Sequence, residues 1–101
     1  MKYRTIIRPE AEADLSNAFS WYEDKRAGLG YDFLLQVEAG LKFIERSPEI
    51  HNVGYRETRT HLTKRFPYKI IYLIEHETVF IMAVLHWKRS PELIGKRVDA
   101  S

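Results

Sequence analysis

The 101-residue sequence predicts an α+β fold, a helical hairpin packed on a mainly antiparallel four-stranded sheet in the order β-α-α-β-β-β. Three observations carry this. Two stretches, to about Arg26 and from about Tyr31 to Ser47, repeat apolar residues at helical spacing. The segments around them are rich in β-branched and aromatic residues. Only a short Gly28-Leu29-Gly30 link separates the helical stretches, which makes them an antiparallel pair.

Residues Lys2–Arg8 read as the first strand. Pro9 sits where a helix can begin, because the first helical position needs no backbone donor. Glu10, Glu12 and Asp14 suit the positive end of that helix, and Lys25 and Arg26 its negative end. Ala11, Leu15, Ala18, Phe19 and Tyr22 form its apolar stripe, and Gly28 is a left-handed stop. In the second helix Phe33, Val37, Leu41 and Ile44 make a stripe for the sheet, with Leu34 beside it. Leu35, Ala39 and Phe43 make another for the preceding helix. Pro48 closes it. After the loop Pro48–Gly54, strands are expected over about Tyr55–Leu62, Tyr68–Glu75 and Thr78–His86, the last two as a tight hairpin through Glu75-His76-Glu77-Thr78. The tail from Pro91 adds one turn of helix. Nothing suggests a repeat or a second domain, so residues 1–101 form one unit.

Composition narrows the function classes. At 45% hydrophobic and 30% charged residues the chain is a folding, globular one. It has no cysteine, which removes disulfides and thiolate metal sites and fits a reducing compartment. The N-terminal residues lack the apolar core of a signal peptide, and no apolar run approaches the roughly 20 residues of a membrane-spanning helix. A cytoplasmic protein is expected. The net charge of +2 hides an asymmetry: residues 1–53 hold seven Lys/Arg against nine Asp/Glu, and residues 54–101 hold nine against five. Arg56, Arg59, Lys64, Arg65 and Lys69 face only Glu57 in their segment. That patch is either a solvated face or a surface for phosphate or an acidic protein.

The run RFPYKIIYLI (Arg65–Ile74) poses a question of solvation. Alternation puts Tyr68, Ile70, Tyr72 and Ile74 on one face, and Lys69, Ile71, Leu73 and Glu75 on the other. The next strand reads Val79, Ile81, Ala83 and Leu85 against Phe80, Met82, Val84 and His86. The helical hairpin can cover one face of this sheet. The other is covered by the tail around Leu93 and Ile94, tolerated as exposed apolar surface, or covered by a partner.

Several motifs together resemble the RelE/ParE superfamily of type II toxin–antitoxin toxins, some of whose members are called plasmid stabilisation proteins. They are Ala13-Asp14-Leu15, Trp21-Tyr22-Glu23, LGYDF (Leu29–Phe33), Ser47-Pro48, Arg56-x-x-Arg59, RFPYKIIY (Arg65–Tyr72) and VLHWKRSP (Val84–Pro91). The resemblance spans nearly the whole chain in order. It implies a toxin whose antitoxin wraps it, with Ile71, Leu73, Phe80, Met82 and Val84 as the antitoxin-binding candidates.

The superfamily implies two modes of action. RelE-like members cut messenger RNA on the ribosome without a metal; ParE-like members poison DNA gyrase by binding it. Metal-free cleavage needs acid–base groups and cations around the phosphate. The resemblance puts Lys69 and Arg89 where catalytic arginines are kept, with Arg59 and His61 near the place of paired lysines. His61 and His86 are the acid–base candidates. The functional tyrosine of RelE-like members has no counterpart in Glu92-Leu93-Ile94-Gly95. His86 also reads as a packed strand end beside Trp87, and Trp21 and Tyr22 as packing residues. Arg56 and Arg59 also read as partners of the acidic first helix or of an antitoxin carboxylate. His51, His61, His76 and His86 show no close ligand spacing, so no metal and no cofactor are expected. Gyrase binding needs only a surface, for which Arg56, Arg59, Lys64, Arg65, Lys88, Arg89, Lys96 and Arg97 are candidates. The expected function is a ParE-like gyrase poison neutralised by an antitoxin. A ribosome-dependent endoribonuclease is the alternative, and a degenerate toxin kept as a binding module is a third.

Overall fold

Pro9 opens the first helix where its missing N–H costs nothing, directly after a short strand. In the computed structural model, which describes residues 3–89 and 91–100, that strand is β1 (Arg4–Ile7) and the helix is α1 (Pro9–Lys25). Lys2, at the start of the expected strand, lies outside the described residues. Gly28 adopts φ +90°, which only glycine takes without strain, and turns the chain into α2 (Leu29–Arg46). Gly28 has no side chain to cap that helix. The Glu23 carboxylate does so from α1, accepting the N–H groups of Gly28 at 2.8 Å and Gly30 at 2.9 Å.

Three more strands follow: β2 (Arg59–Leu62), β3 (Tyr68–Glu75) and β4 (Thr78–His86). The sheet order is β1-β4-β3-β2, with β1 parallel to β4 and the other pairs antiparallel. β2 is shorter than expected: Tyr55–Glu57 form a 3-10 turn instead, with Arg56 and Glu57 both at positive φ. His76 supplies the left-handed position of the β3–β4 turn.

Tyr22, Ala18 and Ala11 of α1 and Phe33, Val37 and Ile44 of α2 bury against Ile70, Tyr72, Val79 and Ile81. Phe66 and Tyr68, the aromatics flanking Pro67, close an aromatic cluster with Tyr22 and Phe33 at centroid distances of 4.9 to 6.0 Å. The second α2 stripe is a correction. Leu35 is 61% exposed and Ala39 is exposed, while Tyr31 and Leu34 join Leu15 and Phe19 at the helix–helix contact. Helical spacing identifies a stripe but not which neighbour it meets.

β4 carries a second correction. Tyr72 pairs with Ile81 and Ile71 with Ala83, so Met82 is an extra residue in the ladder. Beyond this bulge the alternation is inverted. Val84 lies in the hairpin-side core, and Ala83 and Leu85 lie on the other face with Ile71. That second face is not wet. The tail is a full helix, α3 (Pro91–Ala100), longer than the single turn expected, and its Leu93, Ile94 and Val98 pack on Ile71, Ala83 and Leu85. Gly95 permits the contact with the loop: a Cβ there would stand 2.8 Å from the Tyr55 hydroxyl.

Phe33→Ala should cost about 3–5 kcal/mol, because the aromatic cluster cannot collapse into the space. Leu35→Ala should change stability by no more than about 0.5 kcal/mol. Urea unfolding of both variants checks the orientation of α2, and equal losses would contradict it.

Candidate functional site

β1 ends at Ile7 opposite Ile81, so the outer edge of β4 has no strand neighbour from Met82 onward. Side chains take over there. The Asp14 carboxylate accepts the Val84 N–H at 2.9 Å, and Arg97 Nη1 donates to the Met82 carbonyl at 3.3 Å. Arg97 and Asp14 also bind each other in a bidentate pair, at 2.5 and 2.9 Å, with side chains only 16% and 11% exposed. The hydrogen bond to Asp14 raises the Arg97 pKa above its ordinary value, so it stays a cation. Arg97 is therefore built into the structure, linking α1, β4 and α3, and is not presented as a surface charge for a target.

The expected ribonuclease residues do not converge. Arg59 and His61 lie on the hairpin side of β2. Arg59 Nη1 donates to the carbonyls of His51 at 2.5 Å and Glu49 at 3.1 Å. His61 stacks on Phe43 at 5.1 Å, and its Nδ1 is 2.9 Å from Nε2 of His51. Ten positions of sequence separate these two imidazoles, which is why no ligand or hydrogen-bond spacing revealed them. Burial lowers the His61 pKa, helped by His51 and then Lys64. Lys69 points to the other face of the sheet, with Nζ at 3.3 and 3.4 Å from the carbonyls of Trp87 and Arg89. His86 is back on the hairpin side, edge-on to Tyr68.

Of these candidates, His86 and Arg89 line one concave site among the described residues. It is a groove of about 500 Å³ between α1 and the end of β4, walled by Trp21, Tyr22, Pro67 and Tyr68, with Asp14 at its base. Tyr22 is buried packing, but Trp21 is 55% exposed, with Lys25 Nζ 4.7 Å from its ring centroid. Trp87, 51% exposed, is held by its indole N–H on the Tyr68 carbonyl at 3.0 Å. Burial raises the Tyr68 pKa, with Asp14 adding to the rise and Arg89 opposing it. Lys88 and Arg89 are exposed beside these aromatics.

The other predicted cations are divided. Arg56 pairs with Asp99 of α3 at 2.7 Å and Arg65 with Asp32 at 3.4 Å, while Lys64 and Lys96 are exposed. Of the apolar candidates, Ile71 is buried under α3, Met82 is buried, Val84 faces the hairpin core, and Leu73 and Phe80 remain half-buried. Val84 is thus removed from the surface the alternation assigned to it.

A family model described as the ParE toxin of the type II toxin–antitoxin system, parDE, matches residues 5–91. The chain belongs to this ParE toxin family. No curated protein sequence matches it. Among solved structures, the ParE-family chain is similar to one from the chromosomal ParDE TA system of P. aeruginosa, with TM-score 0.75 and 13% identity. That match covers 83% of this chain and 95% of the other. It is also similar to a mutant of the E. coli toxin RelE in the free state, with TM-score 0.61 and 16% identity over 99% and 98% of the two chains. Both likenesses concern the fold. Among the described residues no helix is long and apolar enough to cross a membrane.

Three outcomes follow from this geometry. Arg97→Met should cost about 3 kcal/mol or more, because it leaves the Asp14 carboxylate buried without its cation. Asp14→Asn combined with Arg97→Met should recover part of that loss in chemical denaturation. Because the folded His61 pKa lies below its unfolded value, the stability this group contributes is present above about pH 6.5 and lost as pH falls through the folded pKa. The fall in urea midpoint between pH 7 and pH 5 should therefore shrink in His61→Asn; an unchanged fall would refute the role of this imidazole.

Proposed function

We propose that this ParE-family toxin acts in the cytoplasm by binding DNA gyrase and halting growth, and that an antitoxin neutralises it. The supporting observation is that the ribonuclease candidates do not gather in one site. Arg59 and His61 are engaged with the loop after α2, and Lys69 lies on the opposite face. Inhibition by binding needs no acid–base set. It needs a firmly held surface of aromatic and cationic groups, the composition of strong protein contacts. Trp21 and Arg89, which line the groove, and the exposed Trp87 and Lys88 that precede Arg89 in the chain have that composition. On a plasmid, such a toxin and its antitoxin would stabilise inheritance.

The alternative, a ribosome-dependent endoribonuclease, has one observation in its favour. His86 and Arg89 stand in one groove, an imidazole and a guanidinium that could serve a phosphate.

Induction of the chain in bacterial cells separates the two. The gyrase reading expects DNA breaks and an SOS response. It also expects at least about tenfold weaker gyrase inhibition by Trp21→Ala with Arg89→Glu, given the anchor roles of such residues. Rapid cleavage of translated messages without SOS induction, abolished by His86→Ala, would establish the alternative.

A further inference from the structure

The groove between α1 and the end of β4 gathers groups that suit a small ligand. Its volume of about 500 Å³ falls among small-molecule sites, which run from roughly 300 to 1,000 Å³. Buried Ala18, Tyr22 and Val84 give it an apolar floor.

Arg89 supplies charge at one end. It is exposed, and none of the ion pairs among the described residues takes its guanidinium. Burial raises the Tyr68 pKa and Asp14 adds to the rise, while Arg89 lowers it. Arg89 therefore lies within electrostatic reach of the Tyr68 side chain. Asp14 does not compete for it, being bound to Arg97 and the Val84 N–H. His86 supplies a neutral donor. Its Nδ1 accepts the Lys88 N–H at 3.2 Å, so the neutral ring carries its proton on Nε2. Tyr68 packs edge-on to that imidazole, 5.7 Å between centroids. A guanidinium and an imidazole N–H in one groove match an anion with several acceptor oxygens, such as a phosphate.

Trp21 supplies a flat surface on the α1 wall. Its indole is 55% exposed, and an exposed indole lining a groove is a stacking platform for a planar ring. Asn17 lines the groove one helical turn earlier, so its amide neighbours whatever stacks there. That amide offers one donor and one acceptor group, the complement of N7 and the N6 amino group of adenine.

The charges around the groove disfavour a nucleic-acid strand. A strand is held through many phosphates, whereas Lys88 and Arg89 stand together at one end. The α1 wall carries Glu10, Glu12, Asp14, Glu23 and Asp24 against Lys25 as its one cation. A single phosphate is matched there, and further ones are repelled.

We propose that this groove binds a free adenine mononucleotide, with the base on Trp21 and Asn17 and the phosphate on Arg89 and His86. Binding is a property of the chain alone, so it stands or falls apart from the gyrase reading, which is tested in cells and on gyrase.

For the test, the full chain is titrated with AMP, adenosine, UMP and inorganic phosphate while NMR follows the Trp21 indole N–H and the His86 ring. AMP should give saturable shifts at both residues and bind at least about tenfold more tightly than adenosine or phosphate. It should also exceed UMP by about fivefold or more, a preference that Asn17→Ala removes. Trp21→Leu and Arg89→Gln should each weaken AMP at least about tenfold without moving the urea midpoint, since both side chains are exposed. Equal affinity for AMP and adenosine, or shifts that avoid Trp21 and His86, would overturn the site. Inorganic phosphate binding as tightly as AMP would reduce the groove to an anion contact and overturn it too. A phosphorylated oligoadenylate that binds more tightly as it lengthens, with a steepening salt dependence, would make a strand the ligand and likewise refute the proposal.

Discussion

The Asp14–Arg97 pair is the interaction on which the rest of this architecture turns. A parallel strand as short as β1 leaves half of β4 without a neighbour, and the bulge at Met82 disturbs the ladder at the same place. Unpaired backbone groups at a buried edge cannot be left without partners. A carboxylate from α1 takes the Val84 N–H, and a guanidinium from α3 takes the Met82 carbonyl. Each charge would be costly alone in so covered a site, and each is tolerable because the other is present. The pair substitutes for a missing strand, and in doing so it fixes where α3 must lie.

That placement explains why much of the sheet face opposite the hairpin is covered. Once Arg97 is fixed, Leu93, Ile94 and Val98 fall on Ile71, Ala83 and Leu85, and the bulge has moved those last two residues to meet them. Contacts with the loop after α2, through Tyr55 at Gly95 and Arg56 at Asp99, hold the helix from its other side.

Much of this was legible in the sequence, and the limits have physical causes. Both long helices and the β3–β4 hairpin follow from periodicity and turn chemistry, which are local. The tail from Pro91 reads as one turn from the sequence, because what extends it is tertiary: Gly95 meets Tyr55 and Arg97 binds Asp14. Counting alternation through Met82 misassigned Val84, since one extra residue inverts every position after it. The His51–His61 pair was invisible because a loop residue met a strand residue across ten positions. The motif resemblance found the family, while side-chain convergence is a property of the fold and had to be seen there.

The cations differ in what holds them. Arg97 is internal, Arg59 holds a loop by its carbonyls, and Arg56 and Arg65 have acidic partners. Groups held in this way serve the fold, because reorienting them toward a reacting phosphate would break structural bonds. Lys88 and Arg89 differ, standing exposed at the end of β4 beside Trp87, whose ring is pinned by its own N–H. A pinned aromatic next to exposed cations loses little side-chain entropy on contact, which favours recognition of a protein surface. Catalysis on the same groove would have to draw its acid, base and electrostatic stabiliser from His86, Arg89 and Tyr68. The Tyr68 pKa is raised by burial and by Asp14, which makes it a poor base near neutrality. The proposed binding role draws on pinned aromatics and exposed cations, and the alternative would have to draw on His86 and Arg89 in the same groove.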